Sequence, residues 1–214
     1  VVVLVHPVGG DVLCYQDLAA AWPGDPSIVA IRHPYADQDQ AIRYLSIEQM
    51  AALYRAAALK AVGRVPDLLG GWSFGGLIAH AMAAQWENEG TDAPPLLIVD
   101  TPFDGEFAAR LHDIVRGFAC ERDADLVDLL LRDERFNTVL DHDFYLSEVR
   151  RRADPQVFAH IARLHAANAA AMARHPELQI RASMRYALAL RGKSDATRER
   201  LAARLRMLTN GDVT

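Results

Sequence analysis

Three groups of residues in this chain have types and spacing that suit chemistry. They are a serine between paired glycines, an aspartate that ends an apolar run, and a histidine-led glycine turn near residue 1. The serine stands in Gly70-Gly71-Trp72-Ser73-Phe74-Gly75-Gly76. Before it, Pro66-Asp67-Leu68-Leu69 reads as a turn leading into a short buried strand. After it, Leu77, Ile78, Ala81, Met82 and Trp86 recur at helical spacing, and Gly90 closes that helix. A G-x-S-x-G between strand and helix is a turn so sharp that the serine takes a strained backbone, while the glycines let the two backbones touch. One hydroxyl is thereby lifted above the sheet, beside the positive end of a helix. Such a serine suits nucleophilic attack on an acyl carbon, through a covalent acyl-serine. A serine hydroxyl is weak at neutral pH, so it needs a base, and the base needs an acid to hold its tautomer.

Asp100 suits the acid. It ends Leu96-Leu97-Ile98-Val99, the apolar run after the nucleophile's helix, and strand C-termini face the ligand crevice in an open parallel sheet. The competing role is a local turn bond towards Thr101-Pro102-Phe103; Asp104 is the reserve acid. Charge developing on an attacked carbonyl needs backbone N–H donors, one of them from the residue after the nucleophile. That residue is Phe74. The second donor is expected from His6-Pro7-Val8-Gly9-Gly10, where Pro7 has no N–H and Val8 does. His6 is read as holding this loop and not as the base.

The chain has eight histidines, and none follows a late strand. His80 lies two helical turns after Ser73, about 10 Å along the axis, and is expected to pack against the sheet. His112, His142, His160 and His165 fall in a helical stretch, with His175 at its end. Asp141-His142-Asp143 reads as solvated surface and not as a metal site, because adjacent residues rarely converge on one ion. The base is therefore expected beyond Thr214.

The elements that must position these groups alternate. Strands are expected at Val1–Val5, Ser27–Arg32, Asp67–Gly71, Leu96–Asp100 and Met184–Leu190, and Val213-Thr214 could begin another. Helices are expected over Tyr15–Ala21, from Ser46 to about Gly63, and over Ala196–Leu208. Ser46 and Gln49 have capping-box spacing. The fold class is α/β, a mostly parallel sheet with helices on both faces. Between strand and sheet-return lie candidate helices Glu106–Phe118, Ala124–Asp133, Phe144–Ala153 and Gln156–Arg174. The reading is a core at 1–105, a helical insertion at 106–176 and a return to the core at 177–214.

Composition bounds the function. The 214 residues are 51% hydrophobic and 24% charged, with a net charge of −5. There is no basic run for nucleic acid and no apolar run of ~18 residues for a membrane span. Val1-Val2-Val3-Leu4-Val5-His6 lacks the features of a signal peptide. Cys14 and Cys120 have no metal or redox spacing, which fits reduced thiols in a cytoplasmic protein. Cys14 is expected to be a small core residue.

These motifs together resemble the terminal (type I) thioesterase domain of nonribosomal peptide or polyketide synthetases. The resemblance rests on Val5-His6-Pro7-Val8-Gly9-Gly10, Ser46-Ile47-Glu48-Gln49-Met50-Ala51, Leu69 to Gly76, and Leu97-Ile98-Val99-Asp100-Thr101-Pro102, and covers the first half of the chain. It implies an α/β-hydrolase fold, with the helical insertion matching the family's lid by position. It implies that Ser73 takes an acyl or peptidyl chain from the phosphopantetheine arm of an upstream carrier-protein domain, followed by hydrolysis or macrocyclisation. Ser73 matches the nucleophile, Asp100 the acid, and Val8 and Phe74 the oxyanion hole; no cofactor binds the domain itself. In the family the histidine follows a strand that comes after a turn like Asn210-Gly211-Asp212. Stand-alone editing thioesterases are similar but usually place His before and Met after the serine, where this chain has Trp72 and Phe74. A domain that binds acyl carriers without turnover is the remaining alternative.

Overall fold

Five short apolar runs form one sheet, and its strand order carries the chemistry to one edge. The computed structural model describes residues 1–37, 41–103, 113–114, 123–142, 151, 154–175, 178–187 and 195–214. The strands are β1 (Val2–Val5), β2 (Ile28–Ile31), β3 (Leu68–Trp72), β4 (Leu96–Val99) and β5 (Met184–Ala187), in the order β2-β1-β3-β4-β5. Every pairing is parallel. Parallel neighbours need a crossover, which puts helices on the faces. These helices are α1 (Gln16–Ala21), α2 (Ile47–Val62), α3 (Phe74–Asn88), α4 (Asp123–Arg132), α5 (Glu134–His142), α6 (Pro155–Arg174) and α7 (Asp195–Leu208).

Strand β1 shows how both faces are covered. Side chains alternate along a strand; Val3 and Val5 pack with the main core of α2 and α3, whereas Val2 and Leu4 pack with Tyr15, Val12 and Trp22 on the other face. All four are buried. Helix α2 begins as its spacing requires. Gln49 N–H donates to Ser46 Oγ (3.2 Å), Ser46 N–H donates to Gln49 Oε1 (2.9 Å), and Gly63 ends the helix at φ 78°.

The register levels the strand ends. Val5 is opposite Gly71, Trp72 opposite Val99, and Val99 opposite Ala187. The residues that follow β1, β3 and β4 are His6, Ser73 and Asp100, so all three leave the sheet on one side. Beyond β5, Val213 pairs in parallel with Met184, Thr214 N–H donates to Met184 O (3.1 Å), and Tyr186 N–H donates to Thr214 O (3.0 Å). Val213-Thr214, which the sequence allowed as the start of one more strand, thus make an isolated parallel bridge to β5 at this edge.

Two expectations are corrected. Cys14 is exposed. It lies in a one-turn 3-10 helix, Leu13–Tyr15, and only Tyr15 of the three points into the core. Glu134–His142 is a helix that the periodicity did not reveal. Asp133 is its cap and not a helical residue: its Oδ1 accepts from the N–H groups of Arg135 (2.8 Å) and Phe136 (3.3 Å). Most of the candidate helices Glu106–Phe118 and Phe144–Ala153, and residues Asp104, His112, Cys120, Asp143 and 188–190, lie outside the described residues. Among the described residues no helix is long and apolar enough to cross a membrane, and no group of three or more side chains could hold a metal ion.

Candidate active site

The site is built from three sheet ends that touch through backbone. Ser73 sits between β3 and α3 at φ 53° and ψ −121°, a conformation costing about 1–3 kcal/mol in a non-glycine residue. Its neighbours hold it there. Ser73 N–H donates to Val99 O (2.8 Å), and Ser73 O accepts from Gly76 N–H (3.0 Å) and from the Thr101 hydroxyl (2.8 Å). A Cβ on Gly71 would lie 2.3 Å from the Gly75 carbonyl carbon, and one on Gly75 would lie 2.2 Å from Val5 O and 2.7 Å from His6 O. Those contacts explain the glycine spacing: the end of β1 abuts the head of α3. The turn after β1 therefore lies beside Phe74.

Asp100 follows β4 at φ 43°, and its N–H donates to Ala187 O (2.7 Å). The residues on both sides of it, Val99 and Thr101, are the ones bonded to the Ser73 backbone. The acid candidate is thus bracketed against the serine's own peptide groups, on a half-buried site. Thr101 is buried at 2% exposure, and Tyr186 OH donates to its carbonyl (2.5 Å). The Thr101-Pro102-Phe103 turn closes on itself through Phe103 N–H to Thr101 O (2.8 Å).

The loop after β1 is pinned at its carbonyls. His6 is fully buried, with Nδ1 at 2.7 Å from Pro7 O and Nε2 at 2.7 Å from Tyr54 Oη. A carbonyl only accepts, so Nδ1 carries the proton and Nε2 accepts from the Tyr54 hydroxyl. Burial lowers the imidazole's pKa to about 4, against smaller opposing effects of Pro7 O and Asp11. His6 is therefore neutral at pH 7 and acts as a strut. Gly10 N–H also donates to Pro7 O (2.9 Å), and His33 N–H donates to Gly10 O (2.9 Å). Asn168 Nδ2, from α6, donates to Val8 O (2.8 Å). Among the described residues the N–H groups of Val8 and Phe74 donate to nothing.

Tyr15 ties this loop to the elbow. Its hydroxyl donates to Val5 O (2.6 Å) and accepts from Trp72 N–H (2.8 Å). Where β1 and β3 part, a phenol replaces the next ladder bond. Burial raises its pKa well above the ordinary tyrosine value.

The other described histidines are engaged elsewhere. His80 is buried on α3, its Nε2 donating to Leu208 O (3.2 Å) and its ring against Phe103, and burial lowers its pKa to about 4; its partners are the end of α7 and the turn after β4. His33 Nδ1 accepts from Tyr35 N–H (3.1 Å), and burial first, then His6 and His160, lower its pKa to about 3. His160 Nε2 donates to Tyr35 O (2.9 Å). His175 Nδ1 lies 2.7 Å from Glu48 Oε1, and burial keeps its pKa low despite that carboxylate. His165 is buried on α6. The sequence did not point to Tyr15, Tyr54, Thr101 or Asn168, because each acts through a partner far along the chain.

A family model described as "Thioesterase domain" matches residues 1–113. The chain belongs to the thioesterase domain family. Among curated relatives, "Inactive atromentin synthetase invA6" of Paxillus involutus is 32% identical over 114 residues, 53% of this chain and 12% of that protein. "Malpinin synthetase" of Mortierella alpina is 29% identical over 144 residues, 64% of this chain and 2% of its own length. This thioesterase domain thus spans a small part of the relatives it matches. Its fold is shared with solved structures. The Vlm2 thioesterase domain bound with a dodecadepsipeptide superposes at a TM-score of 0.72 and 22% identity, over 100% of this chain and 83% of that one. RedJ thioesterase from the prodiginine pathway of Streptomyces coelicolor superposes at 0.69 and 18%, over 99% and 78%. The α/β-hydrolase arrangement expected from the motifs is therefore the fold of this thioesterase domain.

Proposed function

We propose that this domain receives an acyl or peptidyl chain on Ser73 from the phosphopantetheine thioester of an upstream carrier domain and then releases it. The single observation behind this reading is the positive-φ Ser73 at the head of α3, bracketed by Asp100's neighbours and by the loop that carries Val8. Ser73 Oγ attacks the thioester carbon and gives its proton to a base. The carbonyl π pair moves onto oxygen and is met by the Val8 and Phe74 N–H groups. The C–S bond then breaks, and the thiol leaves with the proton from the base. Water, or a nucleophile within the bound chain, attacks the acyl-serine in the second step and restores the Ser73 hydroxyl. Hydrolysis and macrocyclisation differ only in that attacker.

The base in this reading is a histidine that follows the strand begun by Val213-Thr214. Val213 bridges to β5 in parallel, level with Met184, which supports a strand on that side. Three residues after Val213 such a strand would be level with Ala187, which accepts the Asp100 N–H. Asp100 then stands within the same sheet edge to hold the histidine's tautomer. The named relatives support a carrier-bound substrate, since synthetases assemble chains on carriers. The cytoplasm is the compartment this reading implies.

A second reading has support from one name: a curated relative is called inactive. It makes this a domain that binds acyl carriers without turnover. One experiment separates the two. The full-length chain is treated with an alkyl fluorophosphonate and digested for mass spectrometry. The proposal expects one adduct, on Ser73, and none in Ser73→Ala, whose thioester turnover drops on the order of 10⁶-fold. No adduct on folded wild-type protein supports the inactive reading, and an adduct elsewhere removes Ser73 as nucleophile.

A further inference from the structure

We propose that Asn168 of α6 is a positioning residue for the oxyanion loop: by fixing the Val8–Gly9 peptide, the last helix before β5 keeps the Val8 N–H on the aim that the Pro7 carbonyl's donors give it. The inference rests on the reading of Val8 as an oxyanion donor. A trans peptide is planar, so its C=O and N–H point in opposite directions. In the Pro7–Val8 peptide the carbonyl is held by His6 Nδ1–H (2.7 Å) and Gly10 N–H (2.9 Å). That aims the Val8 N–H away from those two donors. The next peptide, Val8–Gly9, has no donor of this kind from the loop. Gly9 has no Cβ to limit its rotation, so this peptide is where the loop can twist. Its carbonyl is caught by Asn168 Nδ2 at 2.8 Å.

The helix is shaped to make that bond. Asn168 is 1% exposed and lies among buried Ala166, Ala167, Ala169, Ala170 and Ala171. Small residues let the α6 backbone come close, and a buried amide in such a wall needs a partner. His160, Leu164 and Asn168 are four residues apart and form one ridge of the helix. All three meet the same part of the site. His160 Nε2 donates to Tyr35 O (2.9 Å). Leu164 Cδ2 lies 2.7 Å from the place a Cβ on Gly10 would occupy. Asn168 takes Val8 O. The Tyr35 N–H is in turn held by His33, whose own N–H holds Gly10 O. Helix α6 thus meets the loop at Val8 directly, lies close to Gly10 through Leu164, and reaches its neighbour Tyr35 through His160, all from one face. Seated this way it is part of the machinery that presents the Val8 N–H, and not only a cover.

The test uses the full-length chain, with octanoyl-N-acetylcysteamine as the thioester and hydrogen exchange by mass spectrometry over residues 6–10. Asn168→Leu keeps the branched shape in a larger side chain and loses the donor; Asn168→Ala loses both and cannot clash. The expected result is a 10–100-fold fall in kcat with KM within threefold, and amides 8–10 exchanging at least tenfold faster. Far-UV circular dichroism should be unchanged. A kcat within twofold of wild type in both variants overturns the proposal, whatever the exchange shows. So does a raised KM at constant kcat, which would make Asn168 a substrate contact, and so does unchanged exchange. Ser73→Ala is run beside them. If Ser73→Ala still turns over, the underlying reading of the nucleophile fails. If Ser73→Ala is dead and the Asn168 variants match wild type, only the present inference fails.

Discussion

Replacing Tyr15 with phenylalanine tests whether one hydroxyl joins the two halves of the site. Tyr15 is 5% exposed, and its hydroxyl both donates to Val5 O and accepts from Trp72 N–H. Each hydrogen bond contributes a net ~0.5–1.5 kcal/mol, and a buried group left without a partner costs roughly 1–3 kcal/mol. Val5 is fully buried, so its carbonyl on that side has no route to water, whereas Trp72 is 39% exposed and its N–H can be rehydrated more easily. One stranded group and one lost bond give about 2–4 kcal/mol. At roughly 2–4 °C per kcal/mol for a chain of this size, a loss near 3 kcal/mol lowers Tm by about 6–12 °C. Urea unfolding followed by far-UV circular dichroism measures the free energy directly, and the slope m should not change. Because Val5 leads into the Val8 loop and Trp72 into Ser73, fluorophosphonate labelling of Ser73 should slow by about tenfold in the folded variant. A destabilisation below ~1 kcal/mol, with labelling at the wild-type rate, would show that the hydroxyl bridges nothing that matters.

Other outcomes follow from the same contacts. Gly75→Ala places a Cβ 2.2 Å from Val5 O, a backbone atom that cannot swing aside; soluble expression should fall sharply, and any folded fraction should melt more than 10 °C below wild type by differential scanning calorimetry. Acid should destabilise the domain through its buried histidines. His6 and His80 titrate near 4 and His33 near 3 in the folded state, all below the ordinary value of 6.5. The unfolded chain binds these protons first. Stability is therefore complete above pH 6.5 and is lost as pH falls towards 4, at up to about 1.4 kcal/mol per pH unit for each histidine. Urea midpoints at pH 7.5, 6 and 5 check this, and a flat profile would contradict the buried neutral assignments.

The local demands were set by neighbouring residue types alone. The G-x-S-x-G spacing was legible because a positive-φ serine and two touching backbones are requirements of adjacent residues, met at φ 53° and at Gly71 and Gly75. The capping box of Ser46 and Gln49 was legible for the same reason, as were the apolar runs that became β1 to β5. Asp100 was legible as a charge that ends a buried strand. Cys14 was misread because a single 3-10 turn has too few residues to show which one faces inward, and that was decided by Tyr15 reaching the end of β1. The helix Glu134–His142 was missed because its start depends on the Asp133 side chain, and Asp133 read equally well as the end of the helix before it.

Folding alone selects the distant groups that brace Ser73 and the Val8 loop. Thr101 meets the serine's carbonyl across 28 residues, Tyr15 meets Trp72 across 57, and Asn168 meets Val8 across 160. No spacing rule connects such pairs. Each bond exists because the parallel register levels the ends of β1, β3 and β4, and because an alanine-lined helix packs close enough for one amide to reach a loop carbonyl. The roles proposed for Ser73 and Asp100 rest on residue types that a reader can see. Their alignment depends on strand order and helix seating, which exist only once the chain has folded.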